Sequence, residues 1–130
     1  MSLTILPRPL GGSALARDYV AGTGDARRFY VGAPDSLAAL GEKLAEVSRR
    51  FDRAARERAA AALRPTSARA RERLARFVEE GGAMITTGQQ TGLLTGPLYT
   101  LYKAITAAEL ARAAEAALGV IVLPVFWAAS

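Results

Sequence analysis

Residues 81–130 decide the fold, and their sequence is GGAMITTGQQTGLLTGPLYTLYKAITAAELARAAEAALGVIVLPVFWAAS. Two short apolar runs, at residues 83–87 and 120–126, have the length and composition of buried parallel strands. Between them lies a helical stretch, residues 97–118, with Pro97 in its first turn and Gly119 just past its end. This order and spacing predict a right-handed βαβ unit over residues 83–126 with a parallel pair of strands.

Two details of this unit lead to structural expectations. Pro124 removes one backbone N–H from the second strand, so we expect a sheet edge, a bulge or the strand's end there. The helix has two largely apolar stripes, which predict packing between the sheet and a further layer. The first contains Leu98, Leu101, Tyr102, Ile105 and Glu109, and the second contains Tyr99, Thr106 and Leu110. Lys103 interrupts the second stripe, and it either extends to solvent or contacts a phosphate or carboxylate.

The loop between the first strand and the helix is the candidate binding site. It follows the carboxyl end of a parallel strand, and it ends at a helix N-terminus that favours an anion. Glycines at 88, 92 and 96 allow close approach of the backbone. The loop is not a Walker A motif, since Pro97 follows Gly96, and it contains no G-x-G. Spacing leaves two interpretations: an anion or nucleotide site, or a turn needed only for close packing.

The chain before this unit contains fewer sequence patterns that predict structure or function. Residues 1–35 contain many glycines and prolines and predict an extended arm with turns and a short helix near residues 14–20. Residues 36–80 predict a helical lead-in of three segments packed on the sheet. The expected boundaries are an N-cap at Asp35 or Ser36, a break near Arg50, an end at Pro65, an N-cap at Thr66 or Ser67, and a left-handed cap at Gly81-Gly82.

Composition limits the chemistry. The chain has 130 residues, about one small domain, and its 51% hydrophobic content includes so many alanines that we expect a thin core. It contains no cysteine and no histidine, which excludes disulfides, cysteine–zinc sites and a histidine base. We predict no metal site. Without a signal pattern or a long apolar run, we expect a cytoplasmic protein with no membrane partner.

The net charge is +5, and fifteen of the seventeen basic residues precede position 77. They alternate with acidic residues along the helices, which favours a solvated helix face. The alternative is a basic helical binding module for RNA or acidic partners. The chain lacks the aromatic platforms and zinc spacings of such modules, so we do not expect a nucleic-acid partner.

Residues 87–105, TGQQTGLLTGPLYTLYKAI, resemble the signature TGQQ-x-GLF-x-GPLYT-x-YKAI of the bacillithiol biosynthesis cysteine-adding enzymes, a family of cysteine ligases. Residues 124–130, PVFWAAS, resemble that family's PVFW segment, and the pairs Asp18-Tyr19 and Phe29-Tyr30 resemble its N-terminal region. Leu94 departs from the family's usual phenylalanine. The resemblance covers only the N-terminal part, roughly the first quarter of a family member, so we expect a fragment that lacks the rest of the sheet and a C-terminal coiled coil.

The resemblance implies a fold and an activity. The fold is the start of a Rossmann-like, nucleotidyltransferase-like parallel sheet over residues 36–130, preceded by the arm. The activity is the last step of bacillithiol synthesis, in which a carbon–nitrogen bond joins cysteine to glucosaminyl malate. The resemblance also implies an ATP-like nucleotide and a homodimeric full-length enzyme, and we expect the isolated chain to be inactive. The implied nucleotide-binding residues are Gly88, Gln89, Gln90, Gly92, Gly96, Tyr99 and Lys103; it assigns no catalytic residue.

Overall fold

The computed structural model describes residues 12–30, 32, 36–92 and 96–129. Within them the protein is an α/β structure with five α-helices and one parallel pair of strands. The chain divides into two compact units, Met1–Glu42 and Lys43–Ser130. Some predicted features lie outside the described residues: the arm before residue 12, the alternative cap Asp35, and loop residues 93–95, including Leu94.

The first unit contains helix α1 (Ala14–Ala21) and a 3₁₀ helix (Gly24–Arg28). The Ser13 hydroxyl accepts a hydrogen bond from the Ala16 N–H at 3.2 Å, which caps α1. The rings of Tyr19 and Tyr30 lie 4.2 Å apart, centroid to centroid. The short helix expected near residues 14–20 is therefore confirmed. The described part of the arm is mostly helical rather than extended, because α1 is capped within its own sequence.

Helix α2 (Leu37–Ser48) runs across the boundary between the two units, and α3 (Arg53–Ala62) follows it. The Ala39 N–H donates to the Ser36 hydroxyl at 3.2 Å, so Ser36 acts as a cap of α2. The Asp52 carboxylate accepts the Ala55 N–H at 2.8 Å and caps α3. The predicted break near residue 50 is thus confirmed, because a new N-cap starts a separate helix.

Helix α4 (Ala68–Glu80) begins at the predicted cap Ser67, whose hydroxyl accepts the Ala70 N–H at 3.1 Å. It ends at Gly81, which has φ 85° and ψ −169°. Gly81 therefore has the positive φ of a left-handed cap but not its ψ, so the expectation of a left-handed cap there is wrong. The extended ψ leads the chain directly into the first strand, where the Ala83 N–H donates to the Ile121 carbonyl at 2.9 Å.

Strands β1 (Ala83–Gln90) and β2 (Val122–Ala129) pair in parallel, with Ala83 opposite Val122 and Gln90 opposite Ala129. Both run beyond their predicted ends at 87 and 126. Pairing with β2 gives the backbone N–H and C=O groups hydrogen-bond partners regardless of the side chain. The polar residues at the end of β1 therefore remain in the strand. Pro124 lies within β2, which has no second neighbouring strand among the described residues, so the expected sheet edge is confirmed.

Helix α5 (Leu98–Leu118) connects the strands, and Gly119 ends it in the left-handed conformation as predicted, with φ 67° and ψ 22°. Pro97 is the N-cap rather than a first-turn residue. The buried positions of α5 are small: Ala107, Ala111 and Ala114. The expectation for the first apolar stripe is wrong, because the helix approaches the sheet through alanines. The larger side chains of that stripe are exposed: Leu98, Leu101, Tyr102 and Ile105.

The core of the second unit lies between α4 and β2. Phe77 is fully buried and packs with Ile121 and Leu123. Partly buried side chains surround this cluster: Phe51, Leu74, Val78, Met84 and Val125. The prediction of a helical layer on the sheet is confirmed for α4, and α3 packs on α4.

An ion pair ties α4, α5 and the start of β2 together. Arg73 donates to both carboxylate oxygens of Glu115, at 3.0 Å for Nη1 to Oε1, and its Nη2 also donates to the Val122 carbonyl at 3.1 Å. The Val122 N–H in turn donates to Glu115 Oε2 at 3.0 Å. The hydrogen bonds from Arg73 and from the Val122 N–H lower the pKa of Glu115 to about 2. This pair fixes where β2 begins.

Candidate functional site

The predicted site residues lie at the junction of β1 and α5, but on different elements from those expected. Gly88, Gln89 and Gln90 are the last residues of β1 rather than part of a loop. They pair with residues 127–129 of β2, which explains why the strand continues through a glycine and two glutamines. The described end of the connection is Gly96, directly before Pro97 and α5.

Lys103 connects the two elements. Its Nζ donates to the Gly88 carbonyl at 3.3 Å and to Gln89 Oε1 at 3.0 Å, and it lies 4.7 Å from the centroid of the Tyr99 ring. Lys103 is half-buried, so it does not simply extend into solvent. An ammonium group has three N–H donors, and residues in the described part of the chain accept two of them, so the third has no partner there and is available to a ligand. The structure therefore brings Gly88, Gln89, Tyr99 and Lys103 together at the carboxyl end of β1.

Two of the glycines are accounted for by packing within the protein. A Cβ on Gly88 would lie 2.6 Å from the carbonyl oxygen of Trp127 on β2, and a Cβ on Gly92 would lie 2.8 Å from the Cα of Gly96. Gly96 itself has φ 75°, which other residues rarely adopt. Close packing within the protein is therefore enough to explain why positions 88 and 92 are glycines. Gln90 is exposed and has no side-chain hydrogen bond within the described part of the chain.

The sequence reasoning missed Thr100, in the first turn of α5. Its hydroxyl oxygen is buried and has no hydrogen-bond partner among the described residues. It lies 3.7 Å from the place where a Cβ on Gly96 would be, and the N-cap residue of this helix, Pro97, makes no side-chain capping hydrogen bond. A buried hydroxyl without a partner is unusual in proteins. An orphan hydroxyl, an uncapped helix start and a lysine with a spare donor fit an anionic group such as a phosphate.

The basic surface is partly neutralised where the structure describes it. Arginines on the helices form ion pairs with neighbouring glutamates: Arg53 with Glu57 and Glu79, Arg76 with Glu80, and Arg112 with Glu109. This pairing agrees with a solvated helix face and weighs against a continuous nucleic-acid surface. Among the described residues, no group of three or more acidic side chains could hold a metal ion. Likewise, none of the described helices combines the length and apolarity needed to cross a membrane.

The parallel strand–helix–strand unit, with its cation at the carboxyl end of the first strand, defines a Rossmann-like α/β domain. The family model described as bacillithiol biosynthesis BshC, N-terminal Rossmann-like domain, matches residues 1–130. The chain therefore belongs to the BshC family.

Individual relatives agree with this membership. A protein of Geobacillus kaustophilus is 37% identical over 136 residues, which cover 99% of this chain and 24% of the relative. One from Halalkalibacterium halodurans is 36% identical over 124 residues, covering 92% of this chain and 23% of the relative. A third, from Heliobacterium modesticaldum, is 50% identical over 70 residues, covering 54% of this chain and 13% of the relative.

Each of these three relatives is named "Putative cysteine ligase BshC". The chain thus spans about a quarter of the length of the relatives that match along most of it. No solved structure matches the chain significantly.

Proposed function

We propose that this chain provides the nucleotide-binding part of a BshC-type ligase, which forms a carbon–nitrogen bond between cysteine and glucosaminyl malate. The observation that supports the site most directly is Lys103. It is half-buried at the carboxyl end of β1, held there by the Gly88 carbonyl and by Gln89 Oε1. Ligands of open α/β sheets bind at this edge. The proposal includes a cytoplasmic enzyme that is a homodimer at full length, as the family resemblance implies.

Each residue of the site has a separate task in this proposal. Gln89 and the Gly88 carbonyl orient the Lys103 ammonium, and the Tyr99 ring lies beside it. The spare N–H of Lys103, the Thr100 hydroxyl and the first-turn N–H groups of α5 then face the anion. Donors that are already in position stabilise developing negative charge without reorganisation. Since the chain has no histidine or cysteine, these neutral and cationic groups are suited to binding an anion rather than to acting as a base.

An ATP-like nucleotide bound here would supply the activation of the cysteine carboxylate. Its phosphates match the donor set at the start of α5, which contains a cation, a hydroxyl and the backbone N–H groups of Leu98 and Tyr99. Gly92 and Gly96 pack closely against each other just before that helix and bring its first turn near the end of β1. The residues present therefore fit a phosphate-bearing ligand.

The experiment is calorimetric titration of the purified chain with ATP, comparing Lys103→Ala with Lys43→Ala. Lys43 is the chain's only other lysine, and it pairs with Glu46 at 2.8 Å on an exposed face of α2. We expect Lys103→Ala to weaken binding about tenfold or more, the usual effect of losing a hydrogen bond to a charged group. Lys43→Ala is expected to leave binding unchanged. Equal binding by both variants and the original chain would show that the site is not at Lys103.

A further inference from the structure

Trp127 and Lys103 approach the same glycine of β1. Trp127 is opposite Gly88 in the strand register, and a Cβ on Gly88 would lie 2.9 Å from the Cβ of Trp127. The Gly88 carbonyl accepts the hydrogen bond from Lys103 Nζ at 3.3 Å. Through this one residue, Lys103 Nζ and Trp127 Cβ lie at most about 10 Å apart. Gly88 itself places no side chain between them.

The indole of Trp127 is accessible to a ligand. Trp127 is 69% exposed, although a tryptophan side chain usually buries much of its area. It borders a groove of about 750 Å³ between α4 and β2, and the residues that line this groove include no aspartate or glutamate. An aromatic face with open space beside it can stack on a planar ring. No acidic side chain lining the groove would repel a phosphate-bearing ligand.

The end of the second strand is also where a βαβ unit holds the nucleoside part of its ligand. In dinucleotide-binding units the phosphates lie at the helix N-terminus, and an acidic residue near the end of the second strand binds the ribose. Strand β2 has the sequence VLPVFWAA and contains no acidic residue. Its carboxyl end therefore offers an aromatic face in place of a carboxylate for the ribose.

We infer that Trp127 stacks on the base of the nucleotide whose phosphates lie at Lys103 and the start of α5. The inference rests on the proposed nucleotide site and adds the position of the base. The separation of at most about 10 Å between the ammonium group and Trp127 suits a nucleoside triphosphate, in which a ribose links the base to the phosphates.

The chemistry of stacking also sets the class of base. Every base has a π face, so stacking discriminates little between bases, and purines present the larger area. Trp127 therefore selects purine nucleoside triphosphates, with little preference between adenine and guanine.

The test is calorimetric titration of the chain with ATP, with GTP and with inorganic tripolyphosphate, which has neither base nor ribose. We expect ATP and GTP to bind within about threefold of each other. Trp127→Leu is expected to weaken the binding of both about tenfold and to leave tripolyphosphate binding unchanged. Trp127→Phe keeps a stacking ring and should retain most of the affinity. Trp127 is the chain's only tryptophan, so ATP should quench its fluorescence and tripolyphosphate should not.

The matched control is Phe126→Leu. Phe126 is the neighbouring aromatic residue of β2 and is 42% exposed, and its side chain lies on the opposite face of the sheet. This variant should bind ATP as tightly as the original chain. Circular dichroism shows that each variant remains folded.

Four results would overturn the inference. Trp127→Leu could bind ATP as tightly as the original chain, or Trp127→Phe could lose as much affinity as Trp127→Leu. An equal loss of ATP binding in Phe126→Leu would indicate a general effect of removing an aromatic residue from β2. An equal loss of tripolyphosphate binding in Trp127→Leu would show that Trp127 acts on the fold of the anion site rather than on the base.

The two proposals fail separately. Lys103→Ala is expected to weaken the binding of ATP and of tripolyphosphate alike. If it does so while Trp127→Leu leaves ATP binding unchanged, the anion site stands and the base lies elsewhere. If ATP binding depends on Trp127 but not on Lys103, the stacking position stands and the proposed anion site is wrong.

Discussion

Replacing Glu115 with glutamine removes the charge that holds α4, α5 and β2 together. Glu115 accepts hydrogen bonds from Arg73 and from the Val122 N–H, and these bonds lower its pKa from 4.5 to about 2. A glutamine at this position keeps the size of the side chain and can still accept from Val122. It leaves the half-buried Arg73 without a counter-charge. The variant therefore isolates the electrostatic part of the contact.

The size of the effect follows from the pKa. A lowering from 4.5 to about 2 corresponds to a ceiling of roughly 3 kcal/mol, at about 1.36 kcal/mol per pKa unit. Solvent reaches both partners, since the side chains of Arg73 and Glu115 are 27% and 34% exposed. Screening by water reduces the contribution of such a pair, so we expect Glu115→Gln to cost about 1–2 kcal/mol at neutral pH.

The stability is measured by urea unfolding followed by circular dichroism, repeated across pH. The unfolded state binds more protons at Glu115 than the native state between pH 4.5 and about 2. The contribution of Glu115 is therefore complete above pH 4.5 and is lost as pH falls towards 2. The difference in free energy of unfolding between the original chain and Glu115→Gln should therefore disappear as the pH falls from 4.5 to about 2. Other carboxylates with lowered pKa, Glu46 and Glu80, titrate in both proteins and cancel.

The control is Glu109→Gln on the same helix, which removes an ion pair with Arg112 at a well-exposed position. An exposed pair contributes little to stability, so this variant should unfold at nearly the same urea concentration as the original chain. If both variants lose the same stability, or if the difference for Glu115→Gln is constant down to pH 2, the reasoning about this ion pair is refuted.

The remaining predictions concern the backbone and the activity of the chain. A Cβ on Gly82 would lie 2.1 Å from the Ile121 carbonyl oxygen, whereas a Cβ on Gly119 would have no neighbour within 4 Å. Both have positive φ, so urea unfolding should show a loss of about 1–2 kcal/mol for Gly119→Ala and about 2–5 kcal/mol for Gly82→Ala; equal losses would mean that the close approach is not tight. We also expect the chain alone to form no cysteine–glucosaminyl malate product with ATP, because it corresponds to about a quarter of its relatives' length. Mass spectrometry of the reaction checks this, and a cysteine-dependent product would contradict it.

Local signals in the sequence predicted most elements correctly. Ser36 and Ser67 lie at helix starts, and Gly119 ends α5 in the left-handed conformation, because caps depend on neighbouring residues only. The sequence predicts carboxyl ends at residues 87 and 126, whereas β1 and β2 continue to Gln90 and Ala129. Whether a polar residue such as Gln89 continues a strand depends on a partner strand, and the partner is distant in sequence.

In the candidate site, too, some features follow from local sequence and others only from tertiary contacts. The glycine spacing, the helix start and Lys103 were visible in the sequence, and the motif over residues 87–105 indicated the family. The hydrogen bonds of Lys103 to Gly88 and Gln89 join residues 15 and 14 positions apart, and only the packing of α5 on β1 produces them. Thr100 is the threonine of the GPLYT match, but that match gives it no role, since a threonine in a first helical turn is ordinary until its hydroxyl is buried without a partner among the described residues.

By itself, the sequence determined the order of helices and strands, the parallel βαβ unit and the family, because caps, periodicity and motifs are short-range properties of the chain. The tertiary structure alone decided that α5 meets the sheet through alanines, that Gly88 is a glycine because Trp127 lies against it, and that Lys103 binds the carbonyl of that same glycine. The physical reason is that burial and pairing depend on which distant residues come into contact. That choice is made by the packing of the whole unit, not by any local stretch.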